Sequence, residues 1–464
     1  MTNMVTYAAV VHNTRPARID ERPRIPRIGD ASPGARHPET GDLHEMTTHD
    51  VEKSVDDFKM YDSGTMAEPN EFWTLLRETA PVHRVDEGLG YTLVSRYADV
   101  QDVLRDPDTF RNGVARFFDK GSPHPDSPAV AAVMADAAPY REVLGFGDGE
   151  AHARHRRMVR AGFTTRRVRQ LEGFVSTVVD DLLDELVTGE PVDFVKQFCK
   201  RLPILLIGEI MGVEKEREHD VYRWATSLMA RAAAPPETED DALRIARDVV
   251  EFHQYVYKAV ADRRESPRDD FLSELVANSE GIDEHELAHV CAQLILAGAD
   301  TTIAWLGSIF DLLLAHPDQL AELYADRSLI PNAMEEALRL QSVIKTIYRA
   351  TSRDAEVAGQ DIPADSLVIP LLGSANRDDA VFPDAATFDI HRPNVRKHMA
   401  FGFGTHLCAG IELARAEARI SLTKVLERTS ALSRVEGEPL PKYVPDFTIR
   451  GIDRLPMILH PAER

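Results

Sequence analysis

The amino-acid sequence predicts a mainly α-helical protein with minor β-structure, folded as one large domain over residues 51–464. Three observations lead to this prediction. Apolar residues recur at helical spacing through most of the chain, strand-like runs are few and short, and no linker-like break interrupts the sequence after residue 50. The length of 464 residues would also allow two or three domains, so the prediction depends on this continuity.

The clearest helices can be bounded from the sequence. Residues 175–187 have apolar side chains at helical spacing and precede Thr-Gly-Glu-Pro, which is typical of a helix end. A longer pattern begins after Asp283 and Glu284 and ends at Pro317, which predicts a helix of about thirty residues. Short strands are predicted in residues 90–97 and 357–372, with turn residues between the strand-like segments. Residues 443–459 predict a small hairpin.

Residues 1–50 are rich in Pro, Arg, Asp and Gly and have no apolar period, which predicts a flexible amino-terminal extension. Their short apolar run has no positive residue before it, so we expect no signal peptide and a cytoplasmic location. Three widely spaced cysteines, Cys199, Cys291 and Cys408, agree with a reducing compartment and not with a disulfide framework.

The charge balance excludes some partners. A net charge of −22 argues against attraction of the whole surface to nucleic acid or to anionic lipid. The most membrane-like stretch, residues 294–315, contains Asp300 and Asp311, each of which would cost about 2.5–3.5 kcal/mol near a bilayer centre. We therefore expect a buried helix of a soluble protein, with neither nucleic acid nor a membrane as a partner.

Cys408 has the strongest chemical signal. Gly402, Gly404 and Gly410 surround it, directly before a strongly helical segment. Glycines allow tight turns and a close approach of the backbone to a bulky ligand, and a helix amino terminus lowers the basicity of a thiol. A buried free cysteine, the usual alternative, does not need these glycines. A zinc site needs about four ligands, and His406 and Cys408 lack a second pair.

The segment Phe401-Gly-Phe-Gly404-Thr-His406-Leu-Cys408-Ala-Gly410 resembles the haem-binding loop of the cytochrome P450 family. The resemblance implies the cytochrome P450 fold, with small β-sheets around a haem. It also implies haem b (iron protoporphyrin IX) as the cofactor, with Cys408 as the metal ligand whose electron donation favours O–O cleavage. Phe401 would pack beside the cysteine, and His406 would reach a haem propionate.

A second motif, Ala297-Gly298-Ala299-Asp300-Thr301-Thr302, lies within the long helix. Alone it could be a helix kink with a solvated aspartate. Beside the cysteine loop it resembles the family's oxygen-activation site. Ala297 and Gly298 would then leave room for O2, and Asp300 and Thr301 would be the catalytic acid–alcohol pair that relays protons.

His152 and Arg156 stand at i and i+4, so they share one helical face. The resemblance assigns this pair, together with Arg349, to the haem propionates, since arginine forms charge-assisted hydrogen bonds with carboxylates. Arg157 and Arg160 belong to the same basic run. A solvated basic face is the plain reading of this run, and we also hypothesise a docking patch for an acidic electron carrier.

A third motif, Glu336-Ala-Leu-Arg339, resembles the family's Glu-x-x-Arg, and Arg392 fits the position of its third member. Surface Glu/Arg pairs with this spacing are common, so the motif alone is a weak signal. The resemblance predicts a buried structural network, not a catalytic one.

The resemblance implies a haem-thiolate monooxygenase that inserts one oxygen atom from O2 into a small or mid-sized, largely apolar organic substrate. The sequence has no flavin or nicotinamide fingerprint and no iron–sulfur cysteine cluster, so we expect a separate ferredoxin and ferredoxin reductase as electron donors. A haem sensor or carrier, and a haem-thiolate isomerase or dehydratase, are alternatives that do without oxygen activation. Asp300 and Thr301 favour the monooxygenase.

Substrate contacts are expected from the long helix, the region after Tyr222, residues 343–347 and the neighbourhood of Phe447. Gln293 lies on the same helical face as Ala297 and Thr301. It could offer substrate a polar contact, or it could be a helix-packing residue bonded to backbone, and the sequence leaves both interpretations open.

Overall fold

The structure is a computed structural model that describes residues 54–59, 62–86, 90–114, 127–233 and 238–463. The predicted flexible extension, residues 1–50, lies outside the described residues, and so does the boundary at residue 51.

Helices dominate the described part of the chain, as predicted. Their bounds are α1 Ser63–Ala67, α2 Asn70–Thr79, α3 Tyr97–Arg105, α4 Pro128–Met134, α5 Gly149–Gly162, α6 Thr165–Leu186, α7 Arg201–Ile210, α8 Glu218–Ala233, α9 Glu239–Glu265, α10 Phe271–Ala277, α11 Glu284–Ala315, α12 Pro317–Ala325, α13 Ile330–Gln341, α14 Leu372–Ala375 and α15 Ile411–Arg428.

The strands are short and form three small sheets. Their bounds are β1 Val82–Val85, β2 Tyr91–Val94, β3 Phe110–Arg111, β4 Pro191–Asp193, β5 Arg349–Thr351, β6 Ala355–Val357, β7 Gln360–Ile362, β8 Leu367–Pro370, β9 Thr429–Arg434 and β10 Pro456–Pro461. The largest sheet has the order β1-β2-β8-β5-β3, in which only β2 and β8 run parallel. The others are β4-β10-β9 and the hairpin β6-β7.

The long helix α11 is the centre of the fold. The Asp283 carboxylate caps it by accepting a hydrogen bond from the backbone amide of Glu286 at 2.7 Å. The Glu286 carboxylate in turn accepts a hydrogen bond from the backbone amide of Asp283 at 2.9 Å. The helix ends at Ala315 because Pro317 starts the next helix. Its 32 residues confirm the predicted helix.

By length and composition, α11 could also cross a membrane. In the fold it instead packs against α7, α8, α13 and α15, and its buried residues form part of the main hydrophobic core. Its apolar composition is therefore explained by its central position.

The predicted hairpin over residues 443–459 is only partly correct. A single bridge pairs Tyr443 with Ile452, and the Val444 amide donates to the Gly451 carbonyl at 2.9 Å. The residues after Leu455 instead enter β10, the central strand of the three-stranded sheet. The sequence pattern shows that these residues form strands but not which distant strand they pair with.

Candidate active site

A cavity of about 510 Å³ lies between α11 and the loop that precedes α15. It brings together residues that are more than 250 positions apart in the sequence. Nine of the ten predicted site residues line it: His152, Arg156, Ala297, Gly298, Thr301, Arg349, Phe401, His406 and Cys408. Asp300, the tenth, is not part of the lining.

The cysteine loop owes its path to two glycines. Gly402 and Gly404 have φ angles of +76° and +70°, a region that side chains with a Cβ avoid. A Cβ at Gly404 would lie 2.5 Å from the carbonyl oxygen of Leu104, so a glycine is also needed for space. The amide of Cys408 donates to the Phe401 carbonyl at 2.9 Å and closes the loop. Cys408 lies three residues before α15, which begins at Ile411, and it lines the cavity.

Burial raises the pKa of the Cys408 thiol, and the amide of Gly410 and the guanidinium groups of Arg156 and Arg415 oppose this rise. The surroundings of the sulfur are thus apolar, with nearby positive charge that favours a thiolate. The ring of Phe401 packs edge-on against Trp305, with 5.7 Å between ring centres, and fixes the loop against α11.

One end of the cavity is polar. The side-chain nitrogen of Asn112 lies 3.0 Å from the ring nitrogens of His406, and Asp148 Oδ1 lies 3.5 Å from His406 Nε2. The His152 ring lies against the His406 ring, with centres 4.1 Å apart. Burial, reinforced by His406 and Arg156, lowers the pKa of His152 to about 4, so this ring is neutral at pH 7.

Two arginines line the cavity from different elements. Arg156 lies on α5, one turn after His152, and Arg349 begins β5. Arg349 is buried and donates to the Tyr348 carbonyl at 2.7 Å. Arg156 is half-buried, and the planar guanidinium groups of both arginines match the geometry of carboxylates.

On α11, Thr301 Oγ1 donates a hydrogen bond to the Ala297 carbonyl at 2.6 Å. A Cβ at Gly298 would meet nothing within 4 Å, so the helix surface is open at this point. Asp300 lies off the cavity. Burial and the neighbouring carboxylate of Asp446 raise its pKa to about 6, and Lys200 opposes the rise.

Comparison with known proteins identifies this arrangement. The Cytochrome P450 family model matches residues 220–449. Cytochrome P450 107B1 of Saccharopolyspora erythraea is 33% identical over 428 residues, which cover 89% of this chain and 99% of that protein. The chain belongs to the cytochrome P450 family.

Further relatives and solved structures agree. A steroid C26-monooxygenase of Mycobacterium tuberculosis is 32% identical, over 83% of this chain and 99% of that protein. The structure of cytochrome P450 CYP109Q5 from Chondromyces apiculatus is 32% identical, with a TM-score of 0.76 over 88% of this chain and 99% of that one. The predicted cytochrome P450 fold is thereby confirmed. The protein is a cytochrome P450 monooxygenase, a class that uses haem, O2, a redox partner and small-molecule substrates.

The cavity residues fit a haem. A single thiol opens into the cavity from the cysteine loop, and the opposite wall is open at Gly298. Two arginines, Arg349 buried and Arg156 half-buried, and two histidines line it as well, which suits the propionates of a bound haem. Cys408 is partly exposed and lines the cavity, so its thiol can be reached from there.

The predicted Glu336 network forms as expected. Arg339 donates to both oxygens of Glu336 at 2.7 Å, and Arg392 Nε donates to Glu336 Oε1 at 3.0 Å. All three residues are buried. The remaining donors of the two arginines bond backbone carbonyls of residues 376–387. The network thus fixes the chain path before the haem loop.

The regions predicted to contact substrate can be compared with the lining of the cavity. Val343, Ile344 and Ile347 line the cavity, and α7 with the residue after it forms a further part of the wall, whereas none of the residues described shortly after Tyr222 is in the lining. Phe447 packs against Tyr348 in a separate core cluster, and its neighbour Ile449 lines the cavity instead. Which residues of a loop or helix point inward depends on distant packing, so the sequence predicts the neighbourhood of Phe447 but not that Ile449 is the lining residue.

The sequence reasoning missed two carboxylates. Glu335 is buried beside Glu336 but joins a different network, with His398 and Arg415. Glu417 on α15 lines the cavity and is buried. Its Oε2 has no hydrogen-bond partner in the described structure, and burial raises its pKa to about 8. In the sequence both look like ordinary glutamates of a helix, and no local pattern indicates that they are buried.

Proposed function

We propose that the protein inserts one oxygen atom from O2 into a small or mid-sized, largely apolar organic molecule, in the cytoplasm, with electrons from a separate ferredoxin and its reductase. The observation that carries the proposal is the Cys408 thiol, which opens into a mostly apolar cavity opposite Ala297 and Gly298. Residues 51–464 would form the haem domain, and residues 1–50 a flexible extension.

In this proposal Cys408 binds the iron of haem b, and Phe401 packs beside the sulfur. Two histidines and two arginines hold the propionates: His152, His406, Arg156 and Arg349. The bound haem supplies the site at which O2 is bound and activated. The side chains that surround Cys408 tune the basicity of its sulfur.

Asp300 and Thr301 would act together in moving protons, with Thr301 on the cavity and the adjacent Asp300 outside its lining. Asp300 has a pKa of about 6, near the operating pH, so it can take up and release protons where Lys200 and Asp446 face it. The Thr301 proton is held by the Ala297 carbonyl at 2.6 Å. The lone pairs of its hydroxyl oxygen therefore remain available to accept a proton donor within the cavity.

The electron donor would dock beside the cysteine loop. Arg157 and Arg160 are exposed on α5, and neither forms an ion pair with the described residues. The same helix carries His152, whose ring lies against His406 of the loop. A protein with a net charge of −22 would repel an acidic ferredoxin elsewhere, so a local basic surface would select the docking site.

The test is the spectrum of the reduced, carbon monoxide-bound protein, followed by turnover under ¹⁸O2. A Soret band strongly shifted to the red, as thiolate-ligated haem gives, and one labelled oxygen atom in the product are expected. The matched control is Cys408→Ser, which should lose the band. A band typical of histidine-ligated haem, or no haem at all, would overturn the proposal. An unlabelled product would instead identify an isomerase or dehydratase.

A further inference from the structure

A polar contact inside the cavity links α11 to the short turn Leu144–Phe146. The backbone amide of Gly145 donates a hydrogen bond to Gln293 Oε1 at 3.1 Å, and both residues line the cavity. Because a backbone N–H can only donate, the contact fixes which end of the side-chain amide carries the oxygen. The other end, Nε2, therefore presents two N–H donors in a defined direction.

These donors are available to a ligand. Within the described residues, Gln293 Nε2 has no hydrogen-bond acceptor. A Cβ at Gly145 would lie 3.5 Å from Nε2, so the glycine leaves that side of the amide uncovered. When a substrate displaces water from the cavity, leaving the Gln293 N–H groups without an acceptor costs free energy. The site therefore favours a substrate that supplies a hydrogen-bond acceptor.

The surroundings indicate what kind of acceptor fits. The nearby lining from Leu144, Phe146, Leu294 and α7 is uncharged and mostly apolar. A carboxylate placed there would lose its hydration without gaining a cationic partner, which is costly. A neutral oxygen, such as that of a ketone or hydroxyl group, requires only the single donor that Gln293 offers.

The position of Gln293 on α11 sets a distance. Ala297 is one turn further along the helix, and Thr301 is two turns further, on the same face. At 1.5 Å per residue these steps are about 6 and 12 Å along the axis. A substrate that reaches from Gln293 to the oxidation site must therefore be mid-sized.

We infer that Gln293 is a specificity-determining residue whose Nε2 donates to a neutral ketone or hydroxyl oxygen of the substrate. This oxygen lies one to two helical turns from the carbon that is oxidised. The inference rests on the proposed function and adds to it the polarity and minimum size of the substrate.

The test uses the haem-loaded enzyme and matched pairs of ligands that differ only in a ketone: cyclododecanone with cyclododecane, and 5α-androstan-17-one with 5α-androstane. Binding is titrated by the shift of the Soret band. The wild-type protein should bind the ketone roughly three- to tenfold more tightly in at least one pair, as expected for one hydrogen bond. Gln293→Met should abolish this preference and leave hydrocarbon affinity within about twofold.

The matched control is Leu294→Met, which introduces the same side chain at the adjacent lining position. It should retain the preference for the ketone. The inference is overturned if Gln293→Met keeps the preference for the ketone. It is also overturned if the wild-type protein binds neither ketone, or binds neither ketone more tightly than its hydrocarbon. The carbon monoxide spectrum is recorded for every variant. An intact thiolate band then assigns a negative result to Gln293, whereas loss of the band in the wild-type protein overturns the proposed function itself.

Discussion

Glu335 and Arg415 form a bidentate ion pair that joins the two sides of the haem loop. Arg415 donates to Glu335 through Nε at 2.6 Å and Nη2 at 3.1 Å. Glu335 also accepts a hydrogen bond from His398 Nε2 at 2.8 Å. His398 precedes the loop and Arg415 follows Cys408, so one buried carboxylate holds both ends of the segment. The Arg415 guanidinium also lies 5.3 Å from the centre of the Phe401 ring.

We predict that Glu335→Gln lowers the free energy of unfolding by about 2–4 kcal/mol and weakens haem retention, because Arg415 and His398 lose a buried negative charge and one of its two acceptor oxygens. Denaturant titration and the haem-to-protein ratio measure the two effects. The control Glu412→Gln removes the exposed partner of the same arginine, at 3.3 Å, and should change stability by less than about 0.5 kcal/mol. Equal effects of the two substitutions would contradict the role of Glu335.

The same pair predicts a pH dependence. Burial alone would raise the pKa of Glu335, but hydrogen bonds from His398 and Arg415 outweigh it and lower the pKa to about 2. The folded protein therefore keeps this carboxylate ionised where the unfolded chain takes up a proton, and its stabilisation is present above pH 4.5. The stability difference between the wild-type protein and Glu335→Gln should shrink as pH falls from about 5 to 3. A constant difference would argue against the ionised pair.

Glu417 should show the opposite sign. Burial raises its pKa to about 8 from an ordinary 4.5, so the folded state holds a proton that the unfolded chain releases. This group destabilises the fold increasingly as pH rises through that range. Glu417→Gln should therefore gain stability relative to the wild-type protein between pH 5 and 8, by roughly 1–4 kcal/mol. Chemical unfolding at both pH values measures it, and a gain that is largest at pH 5 would refute the assignment.

Thr301→Ala should keep haem but divert electrons into hydrogen peroxide, because the hydroxyl that can relay protons within the cavity is lost. Product formed per electron pair should fall at least about tenfold. Parallel assays of electron consumption, peroxide and product measure this. Thr301→Ser retains the hydroxyl and should stay close to wild-type coupling. Unchanged coupling in Thr301→Ala would remove this residue from the proton path.

Reversal of charge at Arg157 and Arg160 should slow reduction by an acidic ferredoxin about tenfold at low salt, with the difference vanishing at high salt. Stopped-flow reduction kinetics measure the rate. Arg169→Glu makes the same charge change at an exposed arginine on α6 and should have a smaller effect. Reduction by dithionite should not distinguish the variants. Equal ferredoxin kinetics at low salt would exclude the docking patch.

From the sequence, the residues of the cysteine loop and of α11 could be predicted better than the buried residues that hold them in place. Helix α11 was predicted closely because its start has a local capping box and its end a proline. Gly404 and Cys408 were found because their chemistry is encoded within ten residues. Glu335 was missed because its partners lie 63 and 80 positions away, and its spacing resembles that of any helical surface glutamate. The inward face of α7 was missed for the same physical reason, since distant packing decides it.

The contact between Gly404 and Leu104 has a consequence for the order of folding. The loop fits only where its glycine lies against the end of α3, and the two residues are separated by 300 positions in the chain. Contacts across such distances close late, because the entropy of a long intervening loop must be lost first. The cradle around Cys408 therefore takes shape only after most of the polypeptide has been synthesised and packed. We therefore expect capture of the cofactor to be a late step of maturation.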